Sequence, residues 1–356
     1  MASTCLRFAF RRPRPRALRS ALSIDARWLQ TAAAPAARPG PRHFLSIADL
    51  SAHELVALVR AAQRAKDAVK AGNSVASLAG KTVAMMFSKR STRTRISTEG
   101  AVVHLGGHPM FLGKEDIQLG VNESLFDTSK VISSMASAMV ARVGPHQDIV
   151  DLAGASSVPV INALSNAYHP MQAIADMLTI AEVYGLSNLK GLKVAWVGDV
   201  NNVLYDLSLA CAKLDINISV ATPMGYTFDP TVLKLVRQCY NDLTAAAINI
   251  FHEPEAAVEN ADIIVTDTWV SMGQEEEKLQ RLKDFDGFQV TDELATNGGA
   301  KRDWRFMHCL PRKLEEVSDD VFYSPRSLVF QEAENRLYAA IATLEAFVVN
   351  NGKILG

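Results

Sequence analysis

The feature that most constrains this chain is a repeated alternation of short apolar runs with stretches of helical periodicity. In the second half, residues 193–197, 216–220, 248–251 and 262–265 are strand-like and are separated by longer helical stretches. The first half keeps the same rhythm to about Met177, after a helix over residues 51–71 that opens with a capping box, Ser51 to Glu54. Parallel strands need crossovers that put helices on both faces, so the pattern predicts an α/β fold with parallel sheets flanked by helices. At 356 residues and 48% hydrophobic, the chain has material for two ordinary domains. A polar turn with two glycines at residues 184–191 divides them, giving a first domain at 43–184 and a second at 190–330. The last helix, within residues 332–356, is expected to return to the first domain, so that bridging helices join the two and form a hinge over a cleft.

Charge is distributed unevenly. Residues 1–42 carry nine arginines and one acid, Asp25, a balance of +8, while the whole chain has a formal net charge of −1. The remaining body is therefore mildly acidic, which argues against a nucleic-acid partner. The basic end lacks lysine and lacks a continuous apolar core, and it reads as a mitochondrial transit peptide over residues 1–38, cleaved between Arg27 and Arg38 and leading to the matrix. A basic arm is the alternative. Nothing approaches the ~18 continuous apolar residues of a membrane span. The four cysteines are scattered without a paired motif, so neither a disulfide framework nor a zinc knuckle is expected.

One segment carries most of the chemistry. The apolar run at residues 82–87 leads into Ser88, Lys89, Arg90, Ser91, Thr92, Arg93, Thr94 and Arg95, followed by an amphipathic stretch at 96–105. A strand-to-helix turn there would gather free backbone N–H groups, hydroxyls and guanidinium groups at one point, which suits a phosphate without a Walker loop. Four further features are Arg142 at the end of an apolar run, His169-Pro170-Met171-Gln172, the stretch from Asp267 through Ser271, Met272 and Gly273, and His308-Cys309-Leu310-Pro311-Arg312. On the residues alone, Arg142 reads as a structural salt bridge, His169-Pro170 as a helix entry, Asp267 as a helix cap and Cys309 as an inert buried thiol. The strand ending in Gly198-Asp199-Val200-Asn201-Asn202 lacks the glycine spacing of a dinucleotide site and the acid expected about twenty residues later, which disfavours a dehydrogenase.

Taken together, these segments resemble the carbamoyltransferase family over roughly residues 43–356, and its ornithine-using branch rather than its aspartate-using one. The resemblance implies transfer of the carbamoyl group of carbamoyl phosphate to the δ-amine of L-ornithine, giving L-citrulline and phosphate, with no metal and no organic cofactor. It assigns Ser91, Thr92, Arg93, Thr94, Gln118, Arg142, His169, Gln172, Cys309, Leu310 and Arg336 to carbamoyl phosphate, and Asn202, Asp267, Ser271 and Met272 to ornithine. Arg142 and His169 act on the carbonyl oxygen, and Cys309 with Asp267 binds and deprotonates the attacking amine. The same resemblance implies a homotrimer with active sites near subunit interfaces, the loop at 116–124 reaching toward a neighbour. Tyr205-Asp206 departs from the commonest family pattern, which leaves the surroundings of Asn202 open. The rival readings are a carbamoyltransferase using another amine and a non-catalytic family member. An aspartate acceptor would demand extra basic residues, and residues 269–274 contain none.

Overall fold

The computed structural model describes residues 40–73, 75–117, 123–240, 248–271 and 275–355. In chain order, the first half runs α1 (Ala52–Lys70), β1 (Thr82–Phe87), α2 (Thr92–His104), β2 (His108–Gly113), α3 (Leu125–Met135), β3 (Ala138–Arg142), α4 (His146–Ala155), β4 (Val160–Leu164) and α5 (Pro170–Tyr184). The second half runs β5 (Lys193–Val197), α6 (Asn202–Lys213), β6 (Asn217–Ala221), α7 (Pro230–Cys239), β7 (Ile248–Phe251), α8 (Pro254–Val258), β8 (Ile263–Thr266), α9 (Lys278–Asp284), α10 (Asp292–Asn297), β9 (Arg305–His308), α11 (Asp319–Phe322) and α12 (Val329–Leu344). The strands form two wholly parallel sheets, ordered β2-β1-β3-β4 and β7-β6-β5-β8-β9.

Both faces of each sheet are covered, which is why the central strands read as unbroken apolar runs. On β1, Val83 and Met85 face one core while Ala84 and Met86 face another that includes Leu152 of α4. On β5, Val194 and Trp196 face the first of these cores, and Ala195 and Val197 face a third containing Ala257 and Phe306. The shared core runs from the first sheet through Leu58 of α1, Leu178 of α5 and Ile341 of α12 to Leu204 of α6 and the second sheet. It is the apolar side of the bridge between the domains. The segment joining α5 to β5 carries two glycines in the left-handed region, Gly185 at φ 86° and Gly191 at φ 84°, where a side chain would be strained.

Some local expectations need correction. The strands expected at 216–220 and 262–265 begin one residue later; Asp262 instead uses its carboxylate to accept the Lys193 amide and to pair with Lys301. The last helix begins at Val329 and ends in a wider turn, Glu345–Val349. The stretch after Arg95 is helical but does not bury its apolar side: Thr94, Ser97, Thr98, Ala101 and Val102 face inward, whereas Ile96 and Val103 stay 67% and 62% exposed. The inward face meets α12 through its hydroxyls, since Thr94 Oγ1 accepts from Arg336, so polarity there follows the site rather than the core. No helix among the described residues is long and apolar enough to cross a membrane.

Candidate active site

The site is built at the carboxyl ends of both sheets, where open α/β folds bind ligands. From the first sheet, β1 ends at Phe87 and α2 starts with Ser91 as its N-cap, the Ser91 hydroxyl accepting the Thr94 amide at 3.3 Å. Thr92, Arg93 and Thr94 therefore occupy the first turn, as the sequence predicted. The guanidinium cluster is assembled differently from that expectation. Arg95 turns away to Glu99 and the Phe111 ring, and Arg90 is exposed. Arg93 is joined instead by Arg142, at the end of β3, and Arg336, on α12.

These three cations repel one another. Burial first, and then Arg336 and Arg93, hold the Arg142 guanidinium down to about 10, and burial brings Arg336 to about 10 as well. Among the described residues none of the three has a carboxylate within ion-pair distance, and the Nε atoms of Arg142 and Arg336 have no hydrogen-bond partner. That arrangement is not a structural salt bridge. A buried, uncompensated cationic cluster is costly unless an anion completes it.

His169 caps α5 with Pro170 at the first helical position, which is the helix entry expected of His-Pro. Its ring is buried, Nδ1 lacks a partner, and burial followed by Arg336, Arg142 and Arg93 holds its pKa well below the usual value. The imidazole is therefore neutral and serves as a hydrogen-bond donor or acceptor, not as a cation. Gln172, one turn on, is fixed from both sides: its Oε1 accepts from Arg336 at 2.5 Å, and its Nε2 donates to Asp176 at 2.7 Å and Glu332 at 2.9 Å.

Asp176 and Glu332 form a buried carboxyl pair outside the residues singled out from sequence. Burial raises Asp176 to about 7, and burial together with Asp176 moves Glu332 well above the usual range, so the pair holds a proton. Between about pH 4 and pH 7 this pair keeps protons that the unfolded chain releases, so its contribution to stability falls as pH rises across that window, against the opposite contribution of buried His169. Asp176→Asn should remove part of that slope in thermal-unfolding midpoints measured at successive pH values. Asp199, raised to about 6, and Asp206, raised to about 7, supply other parts of it. An unchanged slope in the variant would remove Asp176 from this account.

From the second sheet, register alone brings Asp267 and Cys309 together: Thr266 of β8 pairs with His308 of β9, and each residue follows its strand. Cys309 Sγ donates to Asp267 Oδ1 at 3.1 Å, and Asn201, the N-cap of α6, donates to Asp267 Oδ2 at 2.8 Å. Burial and then Asp267 raise the Cys309 thiol well above its usual value, and burial also raises Asp267. Cys309 is thus a thiol that donates, in direct contact with an acid. Asp267 is not a helix cap. Gly198 beside them has φ 148°, and a Cβ there would sit 3.1 Å from Thr266 Oγ1, so the backbone turn under the site needs glycine.

The Cys309 segment is pinned from behind. His308 Nδ1 accepts the Leu310 amide at 2.9 Å, and its Nε2 meets Glu316 at 3.1 Å. Glu316 also accepts the amides of Lys313 and Trp269, tying the loops after β8 and β9 together. The Leu310 carbonyl accepts from Arg93 at 2.6 Å, which links this loop to the first turn of α2. Asp267, His308 and Cys309 place three donor atoms within 4.8 Å, a spacing that can hold an ion, but both His308 nitrogens already have protein partners. Asn202 donates to the Ser165 carbonyl across the domains at 2.6 Å, and Ser271 follows the Asp267 loop. Gln118 and Met272 lie outside the described residues. Asn201, Asp176, Glu332 and Glu316 were missed from sequence; the i,i+4 pairs Gln172/Asp176 and Glu332/Arg336 were the available signal.

This geometry, an anion cradle facing an acid beside a thiol, defines a group-transfer site of the carbamoyltransferase class. Residues 42–182 match the family described as aspartate/ornithine carbamoyltransferase, carbamoyl-P binding domain, and residues 190–347 match its Asp/Orn binding domain. The chain belongs to the aspartate/ornithine carbamoyltransferase family. Its relatives lie in the ornithine branch: it is 63% identical over 335 residues to the mitochondrial ornithine carbamoyltransferase of Emericella nidulans, covering 90% of this chain and 92% of that one. The solved structure of a mitochondrial ornithine carbamoyltransferase from Coccidioides immitis is similar with a TM-score of 0.83 and 59% identity, covering 88% of this chain and 100% of the other. The ornithine carbamoyltransferase from Pyrococcus furiosus gives a TM-score of 0.83 at 45% identity over 87% of this chain and 98% of its own.

Proposed function

We propose that the chain transfers the carbamoyl group of carbamoyl phosphate to the δ-amine of L-ornithine, giving L-citrulline and phosphate, an arginine-forming step. The observation that carries this reading is the cluster of buried Arg142 and Arg336 with half-buried Arg93, none of them ion-paired among the described residues, beside neutral His169 and facing Asp267 and Cys309. Phosphate completes the cationic charge, held also by the Ser91, Thr92 and Thr94 end of α2, with Gln118 as a further contact. Arg142 and His169 donate to the carbonyl oxygen as it gains charge, while Gln172, Arg336 and the Cys309 and Leu310 carbonyls hold the carbamoyl NH2 end. Asp267 receives the δ-ammonium and takes its proton, with Cys309 fixing the carboxylate. Asn202, Ser271 and Met272 hold the amino-acid end. The freed amine attacks the carbonyl carbon, the bond to the phosphate oxygen breaks, and the departing phosphate carries away the second proton of the attacking nitrogen. A colorimetric citrulline assay run against a panel of amine acceptors tests the reading. Ornithine should exceed every other acceptor in kcat/KM, and a preference for aspartate would overturn it.

Two further assignments rest on the same reading. A homotrimer is supported by apolar side chains of the first domain that stay exposed: Ile96 and Val103 on α2, Met110 on β2, and Phe126, Val131 and Met135 on α3. The mitochondrial matrix is supported by the arginine-rich residues 1–38, by the names of the relatives, and by the domains 43–184 and 190–330, with the helix inside 332–356, that follow. Deleting residues 1–38 should leave kcat within about twofold while abolishing mitochondrial import. Subcellular fractionation and the citrulline assay check both halves, and an inactive truncated protein would make this segment part of the fold.

A further inference from the structure

We infer that Asp206 is a positioning residue for the carbamoyl-binding end of the site, acting across the two domains through the backbone of His169. The inference rests on the role proposed above for His169 and adds a residue that the resemblance does not assign. Asp206 lies on α6 of the second domain, fully buried, and its hydrogen bonds go to Ser46, Ile47 and the His169 backbone rather than to the arginines of the anion cradle. Its Oδ2 accepts the His169 amide at 2.7 Å, and its Oδ1 accepts the Ser46 hydroxyl at 2.9 Å and the Ile47 amide at 2.8 Å. Three donors from the first-domain side therefore converge on one carboxylate from the other domain.

The helix entry explains why that carboxylate matters for chemistry. His169 is the N-cap of α5, and the amide of an N-cap residue has no partner inside its own helix. In a capping box that amide is satisfied by a Glu or Gln side chain three residues later, which folds back over the helix start. Here the residue three positions on is Gln172, and its amide is turned the other way, bridging Arg336 to the Asp176–Glu332 pair. Gln172 is available to the site because Asp206 has taken over the cap. One buried contact thus fixes the backbone that carries the His169 ring and releases Gln172 to orient Arg336. His169 makes no side-chain cap of its own, and its Nδ1 has no partner; its carbonyl accepts the Gln172 and Ala173 amides within α5, so Asp206 is the contact that ties its backbone to the other domain.

The test is a double-mutant cycle between Asp206 and His169, read as kcat for citrulline formation, KM for each substrate and thermal midpoint. Asp206→Asn keeps the volume but can accept on one side only. It should lower kcat by about ten- to a hundredfold, the scale of a misplaced catalytic group, with KM for ornithine within about twofold. His169→Ala should be impaired by itself, and adding Asp206→Asn to it should cost less than threefold more, because the second change acts through a ring already gone. Ser46→Ala removes one contact to Asp206 that does not involve His169, and it should lower the thermal midpoint while leaving kcat unchanged.

If His169→Ala retains normal kcat, the assigned role of His169 fails. If His169→Ala is impaired but Asp206→Asn is not, or if their effects multiply in full, this inference fails and Asp206 is a structural strut. Should Asp206→Asn not fold, Asp206→Ser takes its place in the cycle. Independently of any variant, the His169 amide of the unaltered protein should resist hydrogen exchange. Exchange at the rate of an exposed amide would overturn the contact itself.

Discussion

Arg142→Ala should lower kcat/KM for carbamoyl phosphate by about two to three orders of magnitude, equivalent to roughly 2–4 kcal/mol of lost transition-state stabilisation. The guanidinium sits at the end of β3 with a free Nε and no ion pair among the described residues, and burial together with the neighbouring Arg336 and Arg93 lowers its pKa to about 10. No carboxylate among the described residues repays that cost, so it is recovered when the phosphate and the developing oxyanion arrive. The same reasoning gives the opposite sign for stability. Removing a buried, unpaired charge relieves Arg93 and Arg336, and the thermal midpoint of the variant should equal or exceed that of the parent despite the cavity left behind. Steady-state kinetics with carbamoyl phosphate varied, together with thermal unfolding of the same preparations, measure both. Near-normal kcat/KM would remove Arg142 from the anion site, and a severe loss of stability would make it a structural residue after all.

How much of this was legible beforehand depended on whether the determining contacts were local. The first turn of α2 was readable because a strand end, an N-cap serine and a run of hydroxyls lie within eight residues, and the structure puts Ser91 and Thr94 in that relation. The two parallel sheets were readable for a similar reason: β1 and β5 are buried on both faces and advertise it as continuous apolar runs. The pairing of Asp267 with Cys309 needed the order of strands, because only the adjacency of β8 and β9 makes residues 42 positions apart into neighbours. Arg95 misled because alternate arginines in one segment suggested one target. Its side chain lies instead over Phe111. The carboxyl pair Asp176–Glu332 left only the i,i+4 spacing of Gln172/Asp176 and Glu332/Arg336 as a trace, because its burial and the meeting of the two acids come from the packing of α5 on α12. Family resemblance supplied roles for side chains but not these supports, which are carried by residues that never face the ligand.

Asp267→Asn should be the most damaging change on the ornithine side, lowering kcat/KM for ornithine by about two to three orders of magnitude, since truncating a buried charge partner costs roughly 2–5 kcal/mol. The carboxylate is oriented by Asn201 on Oδ2 and by the Cys309 thiol on Oδ1, so the replacement amide loses the charge and places a donor against another donor. What happens at Cys309 then distinguishes two mechanisms. A thiolate acting as base would be lost equally in Cys309→Ser and Cys309→Ala. The structure instead shows burial and the adjacent Asp267 raising the thiol well above its usual value, with Sγ donating to the acid. A hydroxyl can make that same donation, so Cys309→Ser should retain about tenfold more activity toward ornithine than Cys309→Ala, the worth of one hydrogen bond to a charged group. KM for carbamoyl phosphate should change little in either variant. Initial rates with ornithine varied across pH decide between the two: equal loss in serine and alanine variants, with a lost acid limb of the pH profile, would make the thiolate the base, whereas the ordering cysteine, serine, alanine leaves proton abstraction to Asp267.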